Sequence, residues 1–217
     1  MNYEIKPLAA GLYFVATPIG TARDITLRAL DILASADVLV AEDTRTARKL
    51  MEIHGVPLGN RQMIAYHDHN GDKVRPQILE KLEGGASVAL ISDAGTPIVS
   101  DPGYKLVKAV RDQGLEVYPL PGPSAPITGL AKSGLPSDRF FFGGFLPVKQ
   151  GARRKILNEL SSLRATLIFF DTGNRIAADD RPFCKFMGRQ SRSGHIEVRP
   201  PQLTDQYSRR LTFRETI

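Results

Sequence analysis

The sequence predicts an α/β protein built on a parallel sheet. Three observations lead there. Short apolar runs alternate with amphipathic stretches along most of the chain. Turn-rich motifs follow the apolar runs at regular intervals. With 217 residues, 42% of them hydrophobic, the chain can bury one large α/β domain or two small ones.

The elements follow in order. Leu12–Ala16 reads as the first strand, and Asp24–Ala36 as a helix with Ile25, Leu27, Leu30, Ile32 and Leu33 at helical spacing. Val38–Ala41 is the second strand and Thr44–Ile53 the second helix. Met63–Tyr66 is a short third strand, and Val74–Leu82 a helix closed by Gly84 and Gly85. Ser87–Ile91 is the fourth strand, Tyr104–Gln113 a helix stopped by Gly114, and Glu116–Leu120 the fifth strand. Pro121-Gly122-Pro123 marks a domain boundary. Beyond it, Ala125–Lys132 is a helix, Phe140–Phe145 an aromatic strand, Arg153–Leu163 a helix and Thr166–Phe170 another strand. The expected domains are 1–120, an α/β domain with a five-stranded parallel sheet, and 121–178, the start of a second α/β domain. From about Asp179 the chain is rich in Arg, Gln, Ser and Pro and shows no sustained period, so 179–217 reads as an atypical basic tail.

Composition narrows the class. No apolar run approaches the roughly 18 residues of a membrane span. The first ten residues carry charges and lack the apolar core of a secretory signal. The one cysteine, Cys184, cannot form an internal disulfide, in keeping with a reducing compartment. A cytoplasmic protein is therefore expected. The net charge of +6 is uneven: residues 1–150 hold 16 Lys+Arg and 16 Asp+Glu, residues 151–217 hold 13 and 7. Such an excess attracts nucleic acid, although it equally suits a solvated basic tail.

Ligands in open parallel sheets bind outside the carboxyl ends of the strands. There the chain places Thr17-Pro18-Ile19-Gly20, Glu42-Asp43-Thr44-Arg45, His67-Asp68-His69-Asn70, Ser92-Asp93-Ala94-Gly95-Thr96-Pro97, Ser100-Asp101-Pro102-Gly103 and Pro121-Gly122-Pro123-Ser124-Ala125. Glycines let backbone approach a ligand, N–H groups at helix starts hold carboxylates, and acidic side chains bind ribose hydroxyls or ammonium groups. A nucleotide would be served by the same inventory. A P-loop and a G-x-G-x-x-G after the first strand are both absent from the sequence. His67 and His69 could chelate, but no Cys cluster or H-E-x-x-H accompanies them, and no metal is expected. The residues alone reach an α/β enzyme with a small-molecule cleft.

The same stretches, with Asp24–Leu30, Gly134–Pro136, Asp138–Phe140, Gly144–Pro147 and Thr166–Phe170, occur in an order and spacing that resemble a known family. This is the branch of the tetrapyrrole-methylase superfamily that methylates a cytidine ribose 2′-oxygen in the decoding centre of 16S ribosomal RNA. The resemblance covers about residues 11–178. Its most specific segments are Ala41–Arg45, Ser92–Pro97 and Pro121–Ala125. Other branches of the superfamily, which include the precorrin methylases, usually carry G-x-G-x-G-D after the first strand; here the loop reads ATPIG.

The resemblance implies the two-domain tetrapyrrole-methylase fold, a homodimer, S-adenosylmethionine as methyl donor bound between the domains, and 16S rRNA in the small subunit as partner. It assigns donor contacts to Pro18, Asp93, Ala94, Gly95, Thr96, Ser124 and Ala125. A base must take the ribose proton, and Glu42, Asp43 and His67 are candidates because they cap adjacent strands; helix N-capping is the competing role for Asp43. Arg45, Arg48 and Lys49, and Arg153, Arg154 and Lys155, are candidate RNA contacts or solvated faces. The second trio is expected to open a helix, where cations oppose the dipole, which favours an RNA role. The family pattern fades after Asn174–Ala178, so the second domain reads as truncated and 179–217 as out-of-frame or disordered. The alternatives are a non-catalytic donor- or ribosome-binding remnant and a tetrapyrrole methylase.

Overall fold

The computed structural model describes residues 2–99, 103–172, 193–198 and 209–214. The chain divides into two compact units, Met1–Ser124 and Ala125–Ile217. The break falls four residues beyond Leu120, where the sequence reading ends its first domain.

The first unit runs β1 (Gly11–Val15), α1 (Leu27–Ser35), β2 (Val38–Ala41), α2 (Thr44–Ile53), β3 (Gln62–Ala65), α3 (Gly71–Glu83), β4 (Ser87–Ile91), α4 (Tyr104–Asp112) and β5 (Val117–Pro119). Its strands form one parallel sheet in the order β3-β2-β4-β1-β5. The three central strands, VLVA, SVALI and GLYFV, are buried at every position. That burial explains their unbroken apolar runs, because a parallel sheet covered by helices on both faces has no polar side.

Alternation sorts the strand residues between two cores. Tyr13, Val15, Leu39, Ala41, Ala89 and Ile91 face Leu30, Leu33 and Ala47, Met51 from α1 and α2. Leu12, Phe14, Val38, Val40, Val88 and Leu90 face Ile78, Leu82 and Leu106, Val110 from α3 and α4. The loops after β1 and β2 thus lead to helices on one face, and the loop after β4 leads to the other. Neighbouring strands β1 and β4 send their chains to opposite faces, the arrangement at whose carboxyl edge open parallel sheets bind ligands.

Two polar devices lock the opposite end of the unit. The Arg61 guanidinium donates to four carbonyls: Leu33 at 2.6 Å, Ala36 at 3.2 Å, Pro57 at 2.5 Å and Leu58 at 3.0 Å. It thereby satisfies carbonyls at the end of α1 that no turn of helix reaches. Asp37 and Ser87 clasp the first residues of β2 and β4: Asp37 Oδ2 accepts from Ser87 N at 2.8 Å and Ser87 Oγ at 2.6 Å, and Asp37 N donates back to Ser87 Oγ at 3.0 Å.

The second unit contains α5 (Ala125–Ser133), β6 (Phe140–Phe145), α6 (Gln150–Leu160), β7 (Thr166–Thr172), β8 (Ser193–Val198) and β9 (Arg209–Arg214). Its sheet has the order β6-β7-β9-β8; β6 pairs with β7 in parallel and the other pairs are antiparallel. Leu146, Leu157, Leu167 and Phe169 form its described core. The sequence reading places no strand after residue 178, whereas β8 and β9 lie there. His195-Ile196-Glu197-Val198 and Leu211-Thr212-Phe213-Arg214 do alternate, but four residues are too few to stand out from polar surroundings. The helix α6 begins three residues before its expected start, and α3 three residues before its own. Cys184, most of the tail and the Ser100-Asp101-Pro102 segment lie outside the described residues.

Replacing Arg61 by Ala should cost about 2–3 kcal/mol in urea unfolding, on the scale of hydrogen bonds from a charged donor. Arg61→Lys should recover only part, since an ammonium cannot span the same fork of carbonyls. The Ser87 hydrogen bonds hold the Asp37 carboxyl below its ordinary value of 3.8. A depressed folded value means that its stabilisation is complete above the ordinary value and lost as pH falls through the folded one. The melting-temperature gap between the parent and Asp37→Ala should therefore stay constant from neutral pH down to about 5 and close below about 4.

Candidate functional site

At the carboxyl edge the loops after β1 and β4 are sewn together. Thr17 N donates to Gly95 O at 2.9 Å, and Gly95 N donates to Thr17 O at 3.0 Å. Thr17 Oγ1 donates to Ser92 O at 3.0 Å, and Ser92 Oγ donates to Gly95 O at 2.5 Å. Both hydroxyls are buried, so these bonds hold the loops in one conformation. Gly95 has φ 86°, and a Cβ there would lie 3.3 Å from Ile19 Cγ2. Gly122, after β5, leaves no room for a side chain either: a Cβ would come within 2.7 Å of Ala16 Cβ. Thr96 Oγ1 donates to Pro123 O at 2.9 Å, tying the β4 loop to the β5 loop. Ile98 follows at φ 69°, a left-handed conformation that a β-branched residue adopts only under strain. Strain of this kind collects at ligand-binding loops.

The acidic pair lies next to this seam. Asp43 is the N-cap of α2, accepting from Arg45 N at 2.8 Å, so the capping role expected as its alternative is present. Its two oxygens also take the Arg45 guanidinium at 3.1, 3.2 and 2.7 Å. That guanidinium holds the Asp43 carboxyl below the usual carboxylate range. The backbone N–H of Asp43 donates to Asp93 Oδ1 at 3.1 Å. Asp93 thus joins the β4 loop to the β2 loop. Glu42 is half-buried, and its N–H reaches Ile91 O at 3.4 Å.

His67 ends β3. Its N–H donates to Asn70 Oδ1 at 2.8 Å, and Asn70 Nδ2 donates to Ala65 O at 2.9 Å. His67 Nδ1 is buried and meets no hydrogen-bond partner among the described residues. The rings of His67 and His69 lie edge-on, 6.0 Å apart, and no group of three metal-ligating side chains occurs among the described residues.

The structure therefore brings Pro18, Asp43, Asp93, Ala94, Gly95, Thr96 and Ser124 into linked loops of one sheet edge, with Glu42 and His67 at the ends of the neighbouring strands. Ala125 starts α5 and belongs to the second unit. Arg45, Arg48 and Lys49 lie exposed on the first turns of α2. Arg153, Arg154 and Lys155 do not open their helix. Because α6 starts at Gln150, they lie beyond its first turn, where the dipole no longer opposes them. Arg153 Nε instead donates to Pro147 O at 3.2 Å.

The sequence reading misses a cleft of about 190 Å³ between the starts of α3 and α4, lined by Tyr66, His67, Asp72, Arg75, Tyr104 and Lys105 among others. Only His67 stands out in the linear pattern. Tyr66 follows β3, and the others sit on two helices some thirty residues apart, where their charges read as ordinary helix surface. No helix among the described residues is long and apolar enough to cross a membrane.

Comparison with known proteins adds the following. The family described as Tetrapyrrole (Corrin/Porphyrin) Methylases matches residues 11–182. The chain is 55% identical over 172 residues to the "Ribosomal RNA small subunit methyltransferase I" of Mesorhizobium japonicum, covering 79% of this chain and 58% of the relative. It is 48% identical over 169 residues to the protein of that name from Rickettsia prowazekii, covering 78% and 59%. With the Escherichia coli O157:H7 protein of that name it shares 47% over 165 residues, covering 76% and 57%. The matches span somewhat under three-fifths of the length of these curated relatives.

Gly95→Ala should be destabilising by about 1–2 kcal/mol, the cost of a Cβ in left-handed backbone, and thermal melts would register it. A substitution with no effect would mean that the loop relaxes out of the Thr17 bridge.

Proposed function

Since this chain belongs to the tetrapyrrole (corrin/porphyrin) methylase family, we propose that it transfers a methyl group from S-adenosylmethionine to the 2′-oxygen of a cytidine ribose in 16S ribosomal RNA. The observation that supports this most is the edge where Thr17 is fixed to Gly95 and Asp93 to Asp43, combined with relatives named for small-subunit ribosomal RNA methylation. The cytoplasm is the compartment this reading requires.

The residues at that edge suit the donor. A molecule with an amino-acid end, a ribose and a flat base needs a carboxylate, hydroxyls and closely approaching backbone. Asp93, Thr96 and Ser124 supply the polar groups. Gly95 and Gly122 thin the loops: a Cβ would press on Ile19 at the first and collide with Ala16 at the second. Pro18, Asp93, Ala94, Gly95, Thr96 and Ser124 would hold the donor, which supplies an electrophilic sulfonium methyl group when bound. The contribution of the protein is to align and to exclude water.

A ribose hydroxyl attacks well only if its proton has an acceptor. Glu42 and His67 fill that role better than Asp43. The Arg45 guanidinium lowers the basicity of Asp43, and its oxygens already cap α2. Asp43 is then a positioning residue that keeps Glu42 in place. Arg45, Arg48 and Lys49 present cations beside it for phosphate groups. Arg153, Arg154 and Lys155 add basic surface on the second unit.

The test is transfer of labelled methyl from S-adenosylmethionine to 30S subunits lacking the ribose methyl. Incorporation is expected. Asp93→Ala should weaken donor affinity in calorimetry, and unchanged affinity in a folded variant would refute the placement of the donor. Glu42→Gln should slow transfer by about a hundredfold, typical for loss of a general base, and leave donor affinity intact. Donor binding without transfer would instead favour a binding protein, and labelling of a tetrapyrrole would replace the RNA substrate.

A further inference from the structure

The cleft between α3 and α4 has features that neither the fold nor methyl transfer requires. Arg75 and Lys105, from different helices, point at the same oxygen, Asp72 Oδ1, at 2.7 and 3.8 Å. Arg75 is mostly buried and is held in place on a second side by Tyr66, whose hydroxyl accepts from its Nε at 3.4 Å. A guanidinium fixed on two sides and partly removed from water is preorganised for an anion.

Lys105 is harder to explain as structure. Its side chain and that of Asp72 are 71% and 78% exposed, and ion pairs of that kind contribute little. It also lies in the first turn of α4, where a cation opposes the helix dipole. Beside it Tyr104 leaves 70% of its surface in water at the rim of the cleft. His67, whose buried Nδ1 has no hydrogen-bond partner among the described residues, lines the same cleft.

We propose that this cleft is a nucleotide subsite for single-stranded RNA, in which Arg75 and Lys105 take a backbone phosphate and Tyr104 stacks on a base. The exposed Asp72 carboxylate occupies the anion position until a phosphate displaces it. His67 Nδ1 is the hydrogen-bonding group left for the ribose or the base edge. Single-stranded RNA is recognised by this combination of stacking aromatic and fixed cations. The subsite rests on the RNA reading above and deepens it, because it lies beyond His67 at the end of β3, on the same sheet edge.

The full chain and a labelled single-stranded oligoribonucleotide of roughly ten nucleotides form the test, followed by fluorescence anisotropy over a range of salt. Tyr104→Ala should weaken binding about fivefold or more. Lys105→Ala should weaken it and reduce the slope of log affinity against log salt by about 0.7. Asp72→Asn should tighten it, although the same change removes an acidic residue from the first turn of α3 and slightly lowers the melting temperature. Opposite signs within one ion cluster separate phosphate competition from loss of folding. Parental affinity and slope in all three variants would overturn the subsite and leave the RNA reading standing. Failure of the parent to hold the oligonucleotide would overturn it too, and only the added absence of methyl transfer to 30S subunits would remove the reading beneath it.

Discussion

Two backbone hydrogen bonds between Thr17 and Gly95 join the loops after β1 and β4, and much of the carboxyl edge depends on them. Loops at the ends of parallel strands have no ladder to continue, so their N–H and C=O groups must find partners elsewhere. Here they find each other. The bridge is possible because Gly95 adopts left-handed backbone and because the Thr17 and Ser92 hydroxyls are buried against the loop carbonyls. Thr96 then extends the seam to Pro123, and Asp93 extends it to Asp43. The ends of four strands, β1, β2, β4 and β5, become one connected surface.

That connection changes how the acidic residues are understood. Asp43 and Asp93 both look like ligand groups in the linear sequence. In the structure Asp43 caps α2 and binds Arg45, while Asp93 receives the N–H of Asp43. A carboxylate that accepts a backbone N–H is held in a defined position. Fixed polar groups act more strongly on a bound molecule than mobile ones because they need not reorganise. The seam therefore supplies the positioning that a group-transfer reaction needs.

The three central strands of the first unit were legible because complete burial on both faces writes itself as apolar runs, VLVA and SVALI most plainly. The edge loops were legible as motifs. What stayed hidden depends on distance between elements. Arg61 reads as an ordinary loop cation, yet it closes the end of α1 through carbonyls 25 and 28 residues away. Tyr66, Arg75, Tyr104 and Lys105 meet only because α3 and α4 pack on the same face of the sheet. The strands β8 and β9 pair across a separation in sequence that no local periodicity reports. The start of α6 was misplaced because Lys149 and Gln150 carry no capping signature, and with it went the dipole argument for Arg153–Lys155.

Charge divides the molecule in a way that bears on its chemistry. Residues 1–150 are balanced, and the whole basic excess lies in 151–217. Long-range attraction for a polyanion thus originates mainly in the later part of the chain, whereas the linked loops lie in a part that is neutral overall. The two respond differently to their surroundings. Attraction summed over many exposed cations fades beyond a Debye length of about 8 Å at physiological salt. A short, partly buried contact such as Asp93 to the Asp43 N–H is screened far less. Under the proposed function, a region of little net charge would hold a donor that carries both charge signs without a strong field favouring either end. Under that function, capture of RNA and alignment of the methyl group would be separate electrostatic tasks, one set by net charge and the other by hydrogen bonds whose partners the fold has already fixed.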